Sequence, residues 1–143
     1  MADILKISDA TALAMHSMLY LTLHPGRTSA TTEIAEAFQA SRHHLAKVHQ
    51  RLIKAGLMFS TRGPAGGVNL AKEPGSVTLL DIYEIMEGSM TCHSCLFGKE
   101  QCPQHACAFS SLLPGLAQQI RTYFEQTTLA KLAEESNWSV KTK

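Results

Sequence analysis

From Ala37 to Lys72 the chain contains no aspartate and no glutamate. The same stretch carries Arg42, Lys47, Arg51, Lys54, Arg62 and Lys72, with His43, His44 and His49 among them. It holds a charge of +6 in a chain of formal net charge +1, which leaves −5 for the remainder. A basic middle in an acidic frame predicts an anionic partner for that middle. Other absences narrow the class. No run approaches the ~20 apolar residues of a membrane-spanning helix. The opening "MADILKISDA" has acid ahead of any apolar stretch and no signal-peptide cleavage pattern. Both point to a cytoplasmic protein without a membrane partner. Paired carboxylates and a nucleophile motif are missing. "GPAGG" follows a short strand but does not open a helix, so it is no phosphate cradle. No enzyme is expected. Cysteine is absent everywhere except "CHSCLFGKEQCPQHAC", residues 92 to 107, which holds all four. Cytosolic thiols are kept reduced, which argues against structural disulfides there.

With 143 residues, 45% of them apolar and 17% charged, the chain fits one domain, or a small domain with an appended element. Residues 9 to 23, "DATALAMHSMLYLTL", lack glycine and proline and are apolar nearly all round. They predict a buried helix with Asp9 at its N-cap. "HPGRTSA" ends it, and "TTEIAEAFQA" restarts a short helix with Thr31 or Thr32 at the cap. "SRHHLAKVHQRLIKAGL" predicts a longer helix, capped by Ser41 and ended by a left-handed Gly56. Leu45, Val48 and Leu52 stack on one face of it. At ~100° per residue, His43, Lys47, Gln50 and Lys54 fall opposite, with His44 and Arg51 beside them. A short helix, a turn and a longer basic amphipathic helix make a helix-turn-helix.

Two β-capable runs, residues 57 to 61 and 68 to 71, flank "RGPAGG" and predict a hairpin, the wing of a winged helix. Arg62 stands at its base, within reach of a phosphate or a minor groove. A helix is expected over residues 78 to 87, then a loop through the cysteines, then a helix over residues 108 to 125 that Pro114 either kinks or restarts. Leu112, Leu116, Ile120 and Phe124 repeat every four residues, and Leu113 and Ala117 widen the stripe. Little of the chain remains to cover it, so the same helix of a second subunit is the expected cover, in a homodimer. "TTLAKLAEE" predicts a last helix, and "SNWSVKTK" a tail. The fold class is mainly α with a small β-hairpin wing. Residues 1–75 form the winged helix-turn-helix. Residues 76–143 form the connecting helix, the cysteine loop and the dimerisation helix.

Cys92, Cys95, Cys102 and Cys107 give the spacing C-x2-C-x6-C-x4-C. On spacing alone they could hold zinc, with His93 and His105 as further donors, or an iron–sulfur cluster. A redox-active C-x-x-C and unligated thiols also fit.

Several phrases, in this order, resemble the IscR/NsrR-type (Rrf-two family) regulators of bacteria: "LAMHSMLYL", "SRHHLAKVHQRLIKAGL", "TRGPAGGVNLAK", "TLLDIYEIMEG", the cysteine loop and "TTLAKL". The resemblance covers nearly the whole chain, and "RGPAGG" after a helix ending in "AGL" is its most specific part. It implies a winged-helix transcription factor, a homodimer on double-stranded operator DNA. Ser41, Arg42, His43, His44, Lys47 and Arg51 would meet the major groove, and Arg62, Gly63 and Pro64 of the wing the backbone or minor groove. It further implies a two-iron or four-iron sulfur cluster that modulates operator binding in response to redox state, nitric oxide or iron–sulfur supply. Cys95, Cys102 and Cys107 would be the main ligands. The fourth ligand is Cys92, or His105 replaces Cys107 and Cys92 joins, or His16 of the partner subunit contributes. Read by itself, His16 is a core histidine. The same fold with structural zinc, or with thiols and no cluster, is the alternative.

Overall fold

The computed structural model describes residues 5–91, 95–96 and 107–137. Helix α1, Asp9–Leu23, is the central rod. Its N-cap is Ser8 rather than Asp9: the Ser8 hydroxyl accepts from the Thr11 N–H, and Asp9 occupies the first helical position. There a carboxylate favours the positive end of the helix dipole. Helix α2, Thr31–Ala37, follows Ala30 and carries no side-chain cap, so neither expected threonine takes that role. The chain then turns through Gln39, at φ +52, into α3, Arg42–Lys54. Here the expected cap is present, the Ser41 hydroxyl accepting from the His44 N–H at 3.3 Å.

Both helices of the pair end in the same way. At α2, the Ala40 N–H reaches the Ala35 carbonyl at 2.8 Å around left-handed Gln39. At α3, the Leu57 N–H reaches the Leu52 carbonyl at 3.0 Å around Gly56, at φ +78. These closures satisfy carbonyls that lack partners within their helices.

Strands β1, Met58–Thr61, and β2, Gly67–Leu70, pair antiparallel with Met58 opposite Leu70 and Thr61 opposite Gly67. The Gly66 N–H bonds the Gly63 carbonyl at 2.9 Å across the turn. Met58 and Val68 point into the core. Val68 also exchanges both backbone hydrogen bonds with Ser29, which fastens the wing to the chain ahead of α2.

A short 3-10 turn, Pro74–Ser76, leads to α4, Leu79–Glu87. Thr78 and Asp81 form a reciprocal capping box at its start, at 2.8 and 3.2 Å. Helix α5, Leu112–Gln126, starts later than the sequence suggests. Pro114 lies in its first turn, where its missing N–H costs nothing, so it neither kinks the helix nor restarts it. Helix α6, Leu129–Glu135, is capped by Thr128. It returns to the beginning of the fold: the Leu129 N–H bonds the Val77 carbonyl at 2.9 Å, and the Leu79 N–H bonds the Thr127 carbonyl at 2.9 Å.

One core joins Met18, Ile34, Leu45, Leu52, Val68, Ile82 and Leu129. It therefore spans both regions expected on either side of residue 75. Burying Leu129 alone is worth roughly 2 kcal/mol, which ties the far end of the chain to the helix-turn-helix. A second cluster of Leu79, Leu80, Tyr83 and Phe124 packs α4 on α5, the two rings meeting edge to face at 5.7 Å. No described helix is long and apolar enough to cross a membrane.

Candidate nucleic-acid interface and cysteine segment

Helix α3 has two chemically different faces. Leu45, Val48, His49 and Leu52 are buried, while Ser41, Arg42, His43, His44, Lys47, Gln50, Arg51 and Lys54 are exposed. The exposed side carries cations and polar groups without a carboxylate. On the wing, Arg62, Gly63 and Pro64 are exposed at the end of β1. The structure thus presents an open basic helix and an open hairpin tip, the hairpin following directly from the end of α3. Such a surface can bind an extended anion through several phosphates.

Two basic-stretch residues do something else. His49 is 2% exposed. Its Nε2 lies 3.1 Å from the Ser17 hydroxyl and its Nδ1 3.3 Å from the Thr31 hydroxyl. Burial pushes its pKa down to about 4, so it is neutral near pH 7 and adds nothing to the basic surface. It joins α1, α2 and α3 instead. Period-3.6 reasoning already sets residue 49 beside Val48 and Leu52. The count of basic residues missed that position.

Arg51 is the second. Its side chain is directed at α4, where one guanidinium nitrogen donates to the carbonyls of Ile85, at 2.8 Å, and Met86, at 3.0 Å. The sequence places Arg51 among the DNA contacts; its side chain is exposed, and in this structure one of its guanidinium nitrogens serves a helix–helix joint.

His16 is exposed, not in the core. Its Nδ1 lies 2.7 Å from the Ala12 carbonyl, and its ring meets Phe38 edge to face at 5.4 Å. It lines a groove of about 390 Å³ between α1 and the start of α3, together with Phe38, Gln39, Ser41 and His44.

Of the cysteines, Cys95 and Cys107 are described, and both are half-buried. Cys92, Cys102, His93 and His105, and the loop expected around them, lie outside the described residues. Among the described residues no three histidines, cysteines or carboxylates gather to hold a metal ion. The donor set itself suits soft metals, since thiolate sulfur favours iron–sulfur clusters and zinc. Cys107 opens the turn into α5, its carbonyl accepting from the Ser110 N–H at 3.1 Å. The segment therefore runs from the end of α4 to the start of α5.

On α5, Leu113, Ala117 and Phe124 are buried, Phe124 against α4. Leu112, Leu116 and Tyr123 are 45%, 38% and 56% exposed. These three lie within about 40° of one another around the helix, so the expected stripe divides into a covered side and an open one.

Known proteins share this arrangement. The profile of the Rrf2 family, described as "Iron-dependent Transcriptional regulator", matches residues 7–135. A protein of Aquifex aeolicus named as an HTH-type transcriptional regulator is 34% identical over 128 residues, 87% of this chain and 89% of its own length. Among solved structures, CymR, "the Global Cysteine Regulator of B. subtilis", superposes with a TM-score of 0.80 at 28% identity, covering 93% of this chain and 99% of its own. T. potens IscR superposes with a TM-score of 0.73 at 27% identity, covering 92% of this chain and 88% of its own. With its wing, its basic third helix and a family match over nearly its whole length, this chain belongs to the Rrf2 family of transcriptional regulators.

Proposed function

We propose that the protein is a cytoplasmic bacterial regulator that binds operator DNA as a homodimer and adjusts that binding through its cysteine segment. The observation that carries the reading is the acid-free, exposed face of α3 beside an exposed wing. In this reading α3 enters the major groove, with Ser41, Arg42, His43, His44 and Lys47 as contacts, and Arg62, Gly63 and Pro64 of the wing touch the backbone or minor groove. Arg42 and Lys47 supply cations for base edges or phosphates, and the capped N-terminus of α3 adds a partial positive charge. The open apolar side of α5 pairs with its copy in the second subunit.

Cys92, Cys95, Cys102 and Cys107 are the proposed ligands of an iron–sulfur cluster. His105, or His16 of the partner subunit, is the other source of a fourth ligand. Such a cluster, when bound, supplies a centre reactive toward oxidants and nitric oxide. The residues around it translate its state: the segment connects α4, packed beside α3, to α5, the proposed dimer helix. A change there re-spaces the two recognition helices and so alters affinity for DNA half-sites.

A second reading keeps the DNA-binding dimer and replaces the cluster with structural zinc or with thiols alone. The donor set favours it as much as the cluster, since four thiolates also make a tetrahedral zinc site. Anaerobic purification followed by visible absorption and iron, sulfide and zinc analysis decides between them. Brown protein with near-stoichiometric iron and sulfide supports the cluster. Colourless protein with one zinc per chain, or with no metal after reconstitution, supports the second reading. Operator affinities of loaded and cluster-free protein, compared at one salt concentration, then test the switch, and equal affinities would sink it.

A further inference from the structure

The last turn of α4 is held from three directions. Arg51 of α3 donates to the Ile85 and Met86 carbonyls. Glu87 accepts from the Ser8 N–H at 2.9 Å and from the Thr11 hydroxyl, both at the start of α1. Glu84 pairs with Arg121 of α5 at 3.5 Å. Helix α4 is therefore the piece through which the recognition helix meets the helix proposed to form the dimer.

Arg51 suits this place for a physical reason. The final carbonyls of a helix have no partner within it and carry its partial negative charge. A guanidinium brought in from another helix satisfies two of them at once, with a planar group whose geometry resists tilting. It lies on the same helix as Lys47, one turn further on. The contact links α3 to α4, and Tyr83, Phe124 and the Glu84–Arg121 pair link α4 to α5.

We infer that Arg51 is a positioning residue that sets the separation of the two recognition helices, and hence which half-site spacing the dimer accepts. The inference rests on the dimeric DNA-binding reading above. Because the cysteine segment follows α4 in the chain, whatever displaces the end of α4 displaces α3 with it.

The test uses the full chain and a duplex selected from a random pool by the wild-type protein, remade with its half-sites one and two base pairs closer or further apart. Wild type, Arg51→Met and Arg51→Lys are compared by fluorescence anisotropy, with thermal midpoints measured alongside. The wild type should prefer one spacing by at least tenfold. Arg51→Met should hold the best site within threefold of wild type and lose the spacing preference to under threefold. Arg51→Lys, which keeps the charge and can reach one carbonyl, should fall between; it also serves as the deciding variant if Arg51→Met does not fold. A tenfold preference retained in both variants would overturn the role of Arg51 alone. Equal weakening at every spacing, with a shallower salt dependence, would make Arg51 a direct phosphate contact and also overturn it. A wild type indifferent to spacing would remove the dimeric reading together with this one.

Discussion

A Cβ on residue 67 would stand 2.2 Å from the carbonyl oxygen of Ser29, so the wing closes onto the entry to α2 through bare backbone. No flexible side chain is there to give way. The close approach, not an unusual φ, is what requires glycine at this position. Gly67→Ala should force the β2 strand away from Ser29 and break the paired hydrogen bonds between Val68 and Ser29. The expected loss is about 2–3 kcal/mol of stability, in the range of overpacked sites. Urea denaturation measures it, and a midpoint unchanged from wild type would contradict the close docking of the wing.

His49 gives a pH dependence with a definite sign. Its pKa falls from an ordinary 6.5 to about 4 on folding, because burial disfavours the charged ring. Between those values the unfolded chain binds a proton that the folded chain does not, so acid favours unfolding. The stability tied to His49 is fully present above pH 6.5 and is lost as the pH falls toward 4, by up to about 3 kcal/mol. Glu87 acts lower. Hydrogen bonds from Ser8 and Thr11 hold its carboxyl at about 2, below its ordinary 4.5, so its contribution disappears only below pH 4.5. Urea midpoints between pH 7.5 and 4.5 should therefore drop in the wild type and drop much less in His49→Gln.

Gln39 holds a left-handed φ of +52 in the turn between α2 and α3. A side chain there costs roughly 1 kcal/mol that glycine avoids. Gln39→Gly should raise the thermal midpoint by about 1–2 °C, after much of the gain is offset by the greater freedom of glycine in the unfolded chain. A lower midpoint would mean that the Gln39 side chain contributes more in the adjoining groove than its backbone costs.

Leu116 sits at the middle of the open side of α5. Leu116→Glu should leave the monomer fold intact, since the side chain is outside the chain's own core, and should place two carboxylates at a symmetric interface. Sedimentation should show at least a tenfold weaker dimer. Far-UV circular dichroism should stay unchanged. A dimer as strong as wild type would move the interface elsewhere.

Lys47 is exposed on the outer face of α3. If it neutralises a phosphate, Lys47→Ala should weaken binding similarly across sequences and reduce the slope of log K against log salt by about 1. If it reads a base, the loss should fall on one position of the site, with the slope nearly unchanged.

Local patterns made much of this protein legible before its tertiary structure. Leu45, Val48 and Leu52 at helical spacing, Ser41 before them and Gly56 after them determined α3, because caps and periodicity act within a few residues of one another. "RGPAGG" between two apolar runs determined the hairpin for the same reason. The absence of acid from Ala37 to Lys72 determined the sign of the surface. The tertiary structure decided what two of these basic residues contact. Arg51 and His49 count as basic residues in any window of sequence. Yet Arg51 is committed to the carbonyls of Ile85 and Met86, 34 and 35 residues away, and His49 to Ser17, 32 residues away. The return of Leu129 to Val77, and the division of α5 into covered and open sides, were decided in the same way. Each depends on which backbone groups and side chains long-range folding brings into contact, and a one-dimensional pattern contains no distances between its ends.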